Sequence, residues 1–198
     1  MSALVLETAR LVLRPFQDAD VEPFAAYRSD AQVARYQGWD IPYTMAQAAE
    51  FVRKMKKAKP GVQGRWYQFA MERKELEGLI GDCAFKIMSY DPRQAEIGYT
   101  LARQYQRRGF ATEAVSRLLQ YLFSELGLHR VTATCDVENE ASARLLERVG
   151  MRREGHFIEN IWFKGAWGSE YSYAILHREW SARQKVPAPA NQAPESTT

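Results

Sequence analysis

The chain has 198 residues, which is enough for one domain and a short extension. Hydrophobic residues make up 46% of it and charged residues 26%, so the composition is that of a globular protein and excludes an intrinsically disordered one. The formal net charge is only +3, which argues against a dedicated nucleic-acid-binding protein.

The first half of the chain predicts one strand, two helices and then three strands. Alternating apolar residues predict strands over 10–16, 66–73, 79–90 and 95–101, and apolar residues at helical spacing predict helices over 18–29 and 44–59. Gln17 or Asp18 is the candidate N-cap of the first helix, and Thr44 is that of the second. Pro60 and Gly61 are expected to end the second helix.

The second half predicts the longest helix, over 110–126, which Gly127 is expected to end. A strand over 130–137, a helix over 139–149 with Asn139 as its N-cap, and strands over 151–163 and 170–176 follow. This order predicts an α/β (α+β) fold with a mixed sheet rather than a uniform βαβ array. The packed domain is expected to cover 1–180, and the proline-containing segment 181–198 to form a flexible tail.

Cysteines and histidines give no metal-binding or disulfide pattern. Cys83 and Cys135 do not form a C-x-x-C motif, and the three histidines are scattered, so we expect no metal site. The first residues lack the charged and apolar segments of a signal peptide, and no apolar run approaches 18 residues. We therefore expect a cytoplasmic protein with no membrane partner.

The most informative segment is the loop Gln106-Arg107-Arg108-Gly109-Phe110-Ala111-Thr112, which follows a predicted strand and opens the longest helix. A helix N-terminus offers unpaired N–H groups to an anion, and a glycine lets the backbone approach a ligand closely. Residues 98–112 contain three arginines and no acid, which predicts a di- or polyphosphate ligand. In the alternative interpretation, the glycine only makes a turn and the arginines are solvated. Walker and Rossmann glycine motifs are both absent.

The Q-x-x-G-x-A pattern of this loop directly follows E-I-G-Y-T-L, and N-E-A-S comes about thirty residues later, closed by R-V-G-M. Together these motifs resemble the GNAT acyl-CoA N-acetyltransferases, and within them the branch that includes the ribosomal-protein N-terminal acetyltransferases. The resemblance extends from LETARLVLRPF to the terminal LHREW. It implies a splayed, mostly antiparallel central sheet flanked by helices, with acetyl-CoA as acyl donor and no metal.

The resemblance also implies the residues that contact the cofactor. The strand 96–101 would pair with the pantetheine arm, the N–H groups of 107–112 would hold the pyrophosphate, and Asn139 and Ser142 would lie near the thioester. The expected cofactor-binding residues are Leu101, Gln106, Arg107, Arg108, Gly109, Phe110, Ala111, Thr112, Asn139 and Ser142.

Two residues are candidates for proton transfer. Glu96 is the candidate general base, since its apolar or small sequence neighbours would desolvate it; the alternatives are a solvent-facing glutamate and a water as base. Many family members carry a tyrosine acid on the next helix, but the matching position here is Leu146. Ser142 is therefore the candidate proton donor to sulfur, or else it only caps the helix together with Asn139.

The amine acceptor is expected near Tyr36 and Trp39, with residues around 162–167 nearby. Trp39 would flank the acceptor, or it simply packs a loop onto the core. The basic run 53–59 is either a solvated helix face or a surface for an acidic partner such as RNA, and nucleic acid is not the expected partner.

The sequence thus predicts transfer of an acetyl group from acetyl-CoA to a primary amine by direct attack in a ternary complex. The acceptor would be a protein N-terminal α-amine or a small amine, and the enzyme a monomer or homodimer. The alternative is a catalytically silent module that binds acyl-CoA.

Overall fold

The computed structural model describes residues 3–184, apart from the side chain of Glu77. The strands are β1 (Leu6–Glu7), β2 (Leu11–Arg14), β3 (Trp66–Arg73), β4 (Leu76–Ile87), β5 (Gln94–Leu101), β6 (Arg130–Asp136), β7 (Arg152–Phe163) and β8 (Ala166–Leu176). The helices are α1 (Val21–Arg28), α2 (Ala31–Ala34), α3 (Met45–Lys57), α4 (Phe110–Gln120), α5 (Glu140–Arg148) and α6 (His177–Gln184). A π-helical turn, Tyr121–Glu125, continues α4.

The eight strands form one sheet in the order β1-β2-β3-β4-β5-β6-β8-β7. Every neighbouring pair is antiparallel except β5 and β6, which run parallel. The parallel pair is joined only where Gln94–Glu96 meets Arg130–Thr132, and the two strands separate beyond these residues. The predicted mixed, splayed and mostly antiparallel sheet is therefore confirmed.

Helices cover both faces of the sheet, and α3, α4 and α5 each carry one apolar stripe. Leu118 of α4 and Leu122 of the π-helical turn belong to one buried cluster with Ile97 and Val131 on one face. Phe24 of α1 and Val52 of α3 belong to a second buried cluster on the other face. Burying each such side chain stabilises the fold by about 1.5–3 kcal/mol.

Side-chain capping explains where α3 and α5 begin. Thr44 and Gln47 form a reciprocal capping box at the start of α3, with N–H···O distances of 3.2 and 2.8 Å. Asn139 caps α5 by accepting the N–H of Ser142 at 3.1 Å. Both predicted N-caps are thus confirmed.

Several predicted boundaries differ from the structure. The predicted helix 18–29 is a 3-10 turn, Asp18–Asp20, followed by α1, and the short elements β1 and α2 were not predicted. The last strand begins at Ala166 rather than at 170, since pairing with β7 extends it toward the turn. Such pairing depends on a partner strand and leaves little trace in the strand itself.

Helix α6 was also missed, and it overlaps the start of the predicted tail. It runs to Gln184, so the first four residues of the predicted tail 181–198 are helical. Trp180 holds it in place by stacking on Phe123 at a ring-centroid distance of 5.5 Å. The rest of the predicted tail, 185–198, lies outside the described residues. Within 3–184, none of the helices combines the length and apolar character required to cross a membrane.

Candidate active site

A cleft opens where β5 and β6 separate. Its volume is about 810 Å³, and its walls come from α2, β5, the loop before α4, β6 and α5. Nine of the ten predicted cofactor-binding residues line this one cleft: Leu101, Gln106, Arg107, Gly109, Phe110, Ala111, Thr112, Asn139 and Ser142. Residues spread over more than forty positions of sequence are thus gathered at a single break in the sheet.

The loop before α4 has a backbone suited to an anion. Arg107 and Gly109 both have left-handed φ angles, 60° and 81°. The first intrahelical bond of α4 runs from Glu113 N–H to Gly109 C=O at 3.0 Å, so the earlier amides of Phe110, Ala111 and Thr112 precede the helical ladder. A positive φ is uncommon outside glycine, and such strain concentrates at ligand-binding sites. The loop therefore presents N–H groups and the positive end of the helix dipole to the cleft.

Hydrogen bonds from the turn between β1 and β2 hold this loop and the first turn of α4 in place. Arg10 Nη1 donates to the carbonyl of Arg108 at 3.1 Å, and Arg10 Nε donates to Glu113 at 2.7 Å. Thr8 also donates its hydroxyl to Glu113, at 2.5 Å. Burial opposes ionisation of Glu113, but the hydrogen bonds from Thr8 and Arg10 prevail and lower its pKa. The charged carboxylate thus anchors the first turn of α4 to the sheet.

Replacing Arg10 by methionine is expected to raise the KM for acetyl-CoA roughly fivefold and leave kcat unchanged. The loop would lose the bond to the Arg108 carbonyl, and one such bond is worth about 1 kcal/mol, or roughly fivefold in affinity. Arg10 is half exposed, so the free energy of unfolding should fall by less than about 1 kcal/mol. Steady-state kinetics with varied acetyl-CoA measures the effect.

The matched control is Arg93→Met, which breaks another exposed arginine–carboxylate pair, with Asp91 at 2.9 Å, away from the cleft. It should leave the KM for acetyl-CoA unchanged. An equal rise in both variants would mean that the Arg10 bridge does not hold the loop.

Gln106 and Arg108 each take part in a hydrogen bond that holds the loop before α4 in place. Gln106 Nε2 donates to the carbonyl of Leu101 at 2.9 Å, which ties the loop to the end of β5. Arg108 is the one predicted cofactor-binding residue that does not line the cleft. Its side chain is exposed, and its carbonyl is held by Arg10. The hydrogen bond between this loop and Arg10 is thus made by the backbone of Arg108.

The hydroxyl of Ser142 points toward β5 and takes no part in the cap of α5. Its backbone N–H is bound by Asn139, while its Oγ lies 2.7 Å from the hydroxyl of Tyr99. Asn139 alone supplies the side-chain cap that the alternative interpretation had assigned to both residues. Leu146 is buried in the wall of the same cleft, so the position that carries a tyrosine acid in many family members offers no proton here.

Cys135 is the other side-chain neighbour of Ser142. Burial raises the pKa of its thiol to about 11, and the Ser142 hydroxyl only partly opposes this shift. The thiol is therefore neutral near pH 7, whereas a nucleophilic cysteine needs a thiolate. The burial and the neutral thiol of Cys135 are those of a core residue of β6 and not of a cysteine that carries an acetyl group during the reaction. Cys83 is buried and free as well.

Glu96, the predicted base, does not line the cleft. It is the last residue of β5 paired with β6, at the closed end of the splay. Its carboxylate forms an ion pair with Lys86 at 2.6 Å and is 28% exposed, so a cation rather than apolar side chains surrounds it. The cross-strand register of β4 and β5 places Lys86 directly opposite Glu96, which the neighbours in sequence do not reveal. The surroundings of Glu96 are therefore an ion pair with Lys86 and not the apolar neighbours that the sequence suggested.

Of the two predicted acceptor residues, only Tyr36 reaches the cleft. Its hydroxyl donates to the carbonyl of Glu138 at 3.3 Å. Trp39 instead packs on the guanidinium of Arg28, 3.9 Å from ring centroid to Cζ, and its indole N–H donates to the Arg28 carbonyl at 2.9 Å. These contacts are those of a residue that packs a loop onto the core, the alternative interpretation of Trp39.

Other aromatic and basic surfaces lie outside the cleft. Trp162 and Trp167 are about 60% exposed and contact each other near the tip of the β7–β8 hairpin. Lys54, Lys56 and Lys57 of the run 53–59 lie on the exposed side of α3, and Lys56 pairs with Asp18 at 2.6 Å. None of these residues lines the cleft.

Among the cleft residues that sequence reasoning missed, Asp136 and Tyr99 bear most directly on the chemistry. Asp136 is the only carboxylate among the described residues that line it, and it forms no ion pair with another described residue. Tyr99 shares the inward face of β5 with Ile97 and Leu101, so strict alternation along E-I-G-Y-T-L would have placed it there. Nothing in the local sequence marked Asp136, because its exposure to the cleft depends on the splay. Within 3–184, no three His, Cys, Asp or Glu residues lie close enough to hold a metal ion.

The sequence of this chain is similar to those of known acetyltransferases. The family profile described as "Acetyltransferase (GNAT) domain" matches residues 10–152. The uncharacterised N-acetyltransferase YnaD of Bacillus subtilis is 36% identical over 179 residues, which is 89% of this chain and 99% of that protein.

Solved structures are similar over nearly the whole described chain. A GNAT-family acetyltransferase from Bacillus anthracis has a TM-score of 0.79 at 34% identity, covering 89% of this chain and all of that one. A spermidine N-acetyltransferase from Vibrio cholerae, solved with CoA and spermine, has a TM-score of 0.74 at 24% identity and covers 88% of this chain and 99% of that one. At that identity the second similarity concerns the fold alone.

Proposed function

The chain belongs to the GNAT acetyltransferase family, and from this premise we propose that it transfers an acetyl group from acetyl-CoA to a primary amine by direct attack in a ternary complex. The observation that carries the proposal is the arrangement of the cleft. An anion-binding loop lies at one end of it, the separated strands β5 and β6 form its walls, and the Ser142 hydroxyl lies inside.

The cleft fits the chemical parts of acetyl-CoA. The first-turn amides of α4 and the side chain of Arg107 suit the pyrophosphate. Beyond Glu96, β5 has no hydrogen bonds to β6, so its backbone groups are free to pair with an extended chain such as the pantetheine arm. The Vibrio cholerae structure, which has the same fold and holds CoA, supports this assignment.

The reaction needs a neutral amine, a place for the amine proton, and a proton for the leaving sulfur. The amine nitrogen attacks the thioester carbon, the carbon–sulfur bond breaks, and the sulfur takes a proton. We assign that proton to the hydroxyl of Ser142. The amine proton leaves through water, since the carboxylate of Glu96 is already engaged by Lys86. The backbone N–H groups that β5 leaves unpaired at the splay supply donors for the oxyanion.

An α-amine, with a pKa of about 7.7–8.0, is roughly one-tenth neutral at pH 7, whereas a lysine amine at about 10.4 is almost entirely protonated and depends more on a base. The resemblance to the ribosomal-protein branch also favours a protein N-terminus. Asp136 at the edge of the cleft suits any acceptor that approaches as a cation, including a small polyamine. The acceptor is thus a protein α-amine or a small amine.

All residues invoked come from one chain, so the proposal holds for a monomer or a homodimer. The free, buried cysteines suit the cytoplasm, where we propose that the protein works.

A free-thiol assay tests the function. Acetyl-CoA turnover is measured across N-terminal peptides, polyamines and amino sugars, and we expect CoA release with at least one class, together with the acetylated product by mass spectrometry. Acetyl-CoA binding by calorimetry without thiol release from any amine would contradict transfer and indicate a silent acyl-CoA-binding module.

A further inference from the structure

Tyr99 and Ser142 form a pair of hydroxyl groups inside the cleft. They come from different elements, β5 and α5, and their oxygen atoms lie 2.7 Å apart, which is an ordinary O–H···O distance. Both residues line the cleft. The carbonyl of Ser142 lies farther from the tyrosine oxygen, at 3.4 Å, so the serine hydroxyl is the main partner of Tyr99.

The backbone of Ser142 is fixed, but its hydroxyl is not fixed by the helix. The side chain of Asn139 accepts the Ser142 N–H at 3.1 Å and so holds the first turn of α5. Rotation about the Cα–Cβ and Cβ–Oγ bonds remains, and a serine in a first helical turn has several hydroxyl orientations available. Of its two side-chain neighbours, the Tyr99 phenol at 2.7 Å and the thiol of Cys135, the phenol is the stronger hydrogen-bonding partner and selects one of these orientations.

The direction of this hydrogen bond decides what Ser142 can do. A serine hydroxyl has one proton to donate and two lone pairs to accept with. Burial raises the pKa of Tyr99 above its usual value, so the phenol keeps its proton across the working pH range and is available as a donor. When Tyr99 donates, the single proton of Ser142 is left for another acceptor.

We propose that Tyr99 is a positioning residue that donates its hydroxyl proton to Ser142 Oγ and thereby directs the Ser142 O–H toward the leaving sulfur. This inference rests on the proposed function and adds a residue to it. Tyr99 itself does not lose its proton. Ser142 gives its proton to the sulfur as the carbon–sulfur bond breaks, and it takes back through water the proton that the amine releases, so neither hydroxyl group ends the transfer ionised.

Tyr99→Phe is the test, since it removes one oxygen and keeps the ring. We expect kcat to fall roughly tenfold, as expected when a donor is misaligned, while the KM and Kd for acetyl-CoA stay within about twofold. In a Ser142→Ala background the same change should have no further effect on kcat, because there is no hydroxyl left to orient. Equal losses in both backgrounds would show that Tyr99 acts through packing, and would overturn the proposal.

A readout independent of turnover is the pKa of the CoA thiol in the protein complex, followed by thiolate absorbance. A serine O–H directed at sulfur stabilises the thiolate, so both Tyr99→Phe and Ser142→Ala should raise that pKa relative to the wild-type complex. An unchanged thiol pKa in Tyr99→Phe would overturn the proposal even if kcat fell.

Tyr173→Phe is the matched control. Tyr173 is buried, and its hydroxyl donates to Glu147 at 3.1 Å, but it does not line the cleft. This variant should leave kcat and the thiol pKa unchanged. Wild-type protein that releases no CoA with any amine would refute the proposed function, whereas wild-type turnover matched by Tyr99→Phe would refute only the role of Tyr99.

Discussion

Replacing Gly109 by valine is expected to weaken acetyl-CoA binding by at least about 100-fold, equivalent to losing one or two hydrogen bonds to a charged group. Gly109 has φ 81°, a conformation that a β-branched residue rarely adopts. A Cβ would also lie 3.3 Å from the guanidinium of Arg10, the group that holds the loop. The loop must rearrange, and its amides would no longer point into the cleft. Isothermal titration calorimetry with acetyl-CoA measures the change.

Gly127→Val supplies the control for backbone strain. Gly127 follows the same helix at its other end, has φ 66°, and would place its Cβ in open space. Both variants should lower the thermal midpoint of unfolding, but only Gly109→Val should lose acetyl-CoA. Normal affinity in a folded Gly109→Val protein would mean that the loop does not hold the phosphates.

Replacing Ser142 by alanine is expected to lower kcat by about 100-fold, the lower end of what a positioned general acid contributes. The Kd for acetyl-CoA should change by less than about threefold, because a group that acts in the transition state contributes little to ground-state binding. The fold should be retained, since the cap of α5 uses the backbone N–H of Ser142 rather than its hydroxyl.

The measurement pairs steady-state kinetics with calorimetry on the same protein. Ser29→Ala is the matched control, because it removes a serine hydroxyl that hydrogen-bonds the Tyr43 carbonyl at 3.1 Å outside the cleft. It should leave kcat unchanged. A Ser142→Ala enzyme as fast as wild type would exclude Ser142 as the proton donor.

The loop 106–112 and the caps at Thr44 and Asn139 were predicted from the sequence because their signals are local. A glycine before a helix, a polar N-cap and a run of arginines without acids act within a few residues of one another. The neighbouring long helix and most strands were predicted for the same reason, since periodicity of apolar residues is also a local property.

The tertiary structure alone decided which side chains meet. Lys86 reaches Glu96 through the register of β4 and β5, and this ion pair replaces the desolvated base that the neighbours of Glu96 had suggested. Arg10 meets Glu113 across 103 positions, and Tyr99 meets Ser142 across 43. The Trp39 ring packs on the guanidinium of Arg28, and the spacing of these residues in the sequence does not predict that contact.

The amino-acid sequence by itself thus determined the family and the sheet type, and it predicted an anion-binding loop at a helix N-terminus. The tertiary structure decided which side chains meet at the other end of the cleft, because their meeting depends on where β5 and β6 stop pairing. The end of a parallel ladder is set by packing on both faces of the sheet and not by the residues of either strand alone. The separation after Glu96 leaves that residue at the closed end and admits Tyr99 and Ser142 to the cleft.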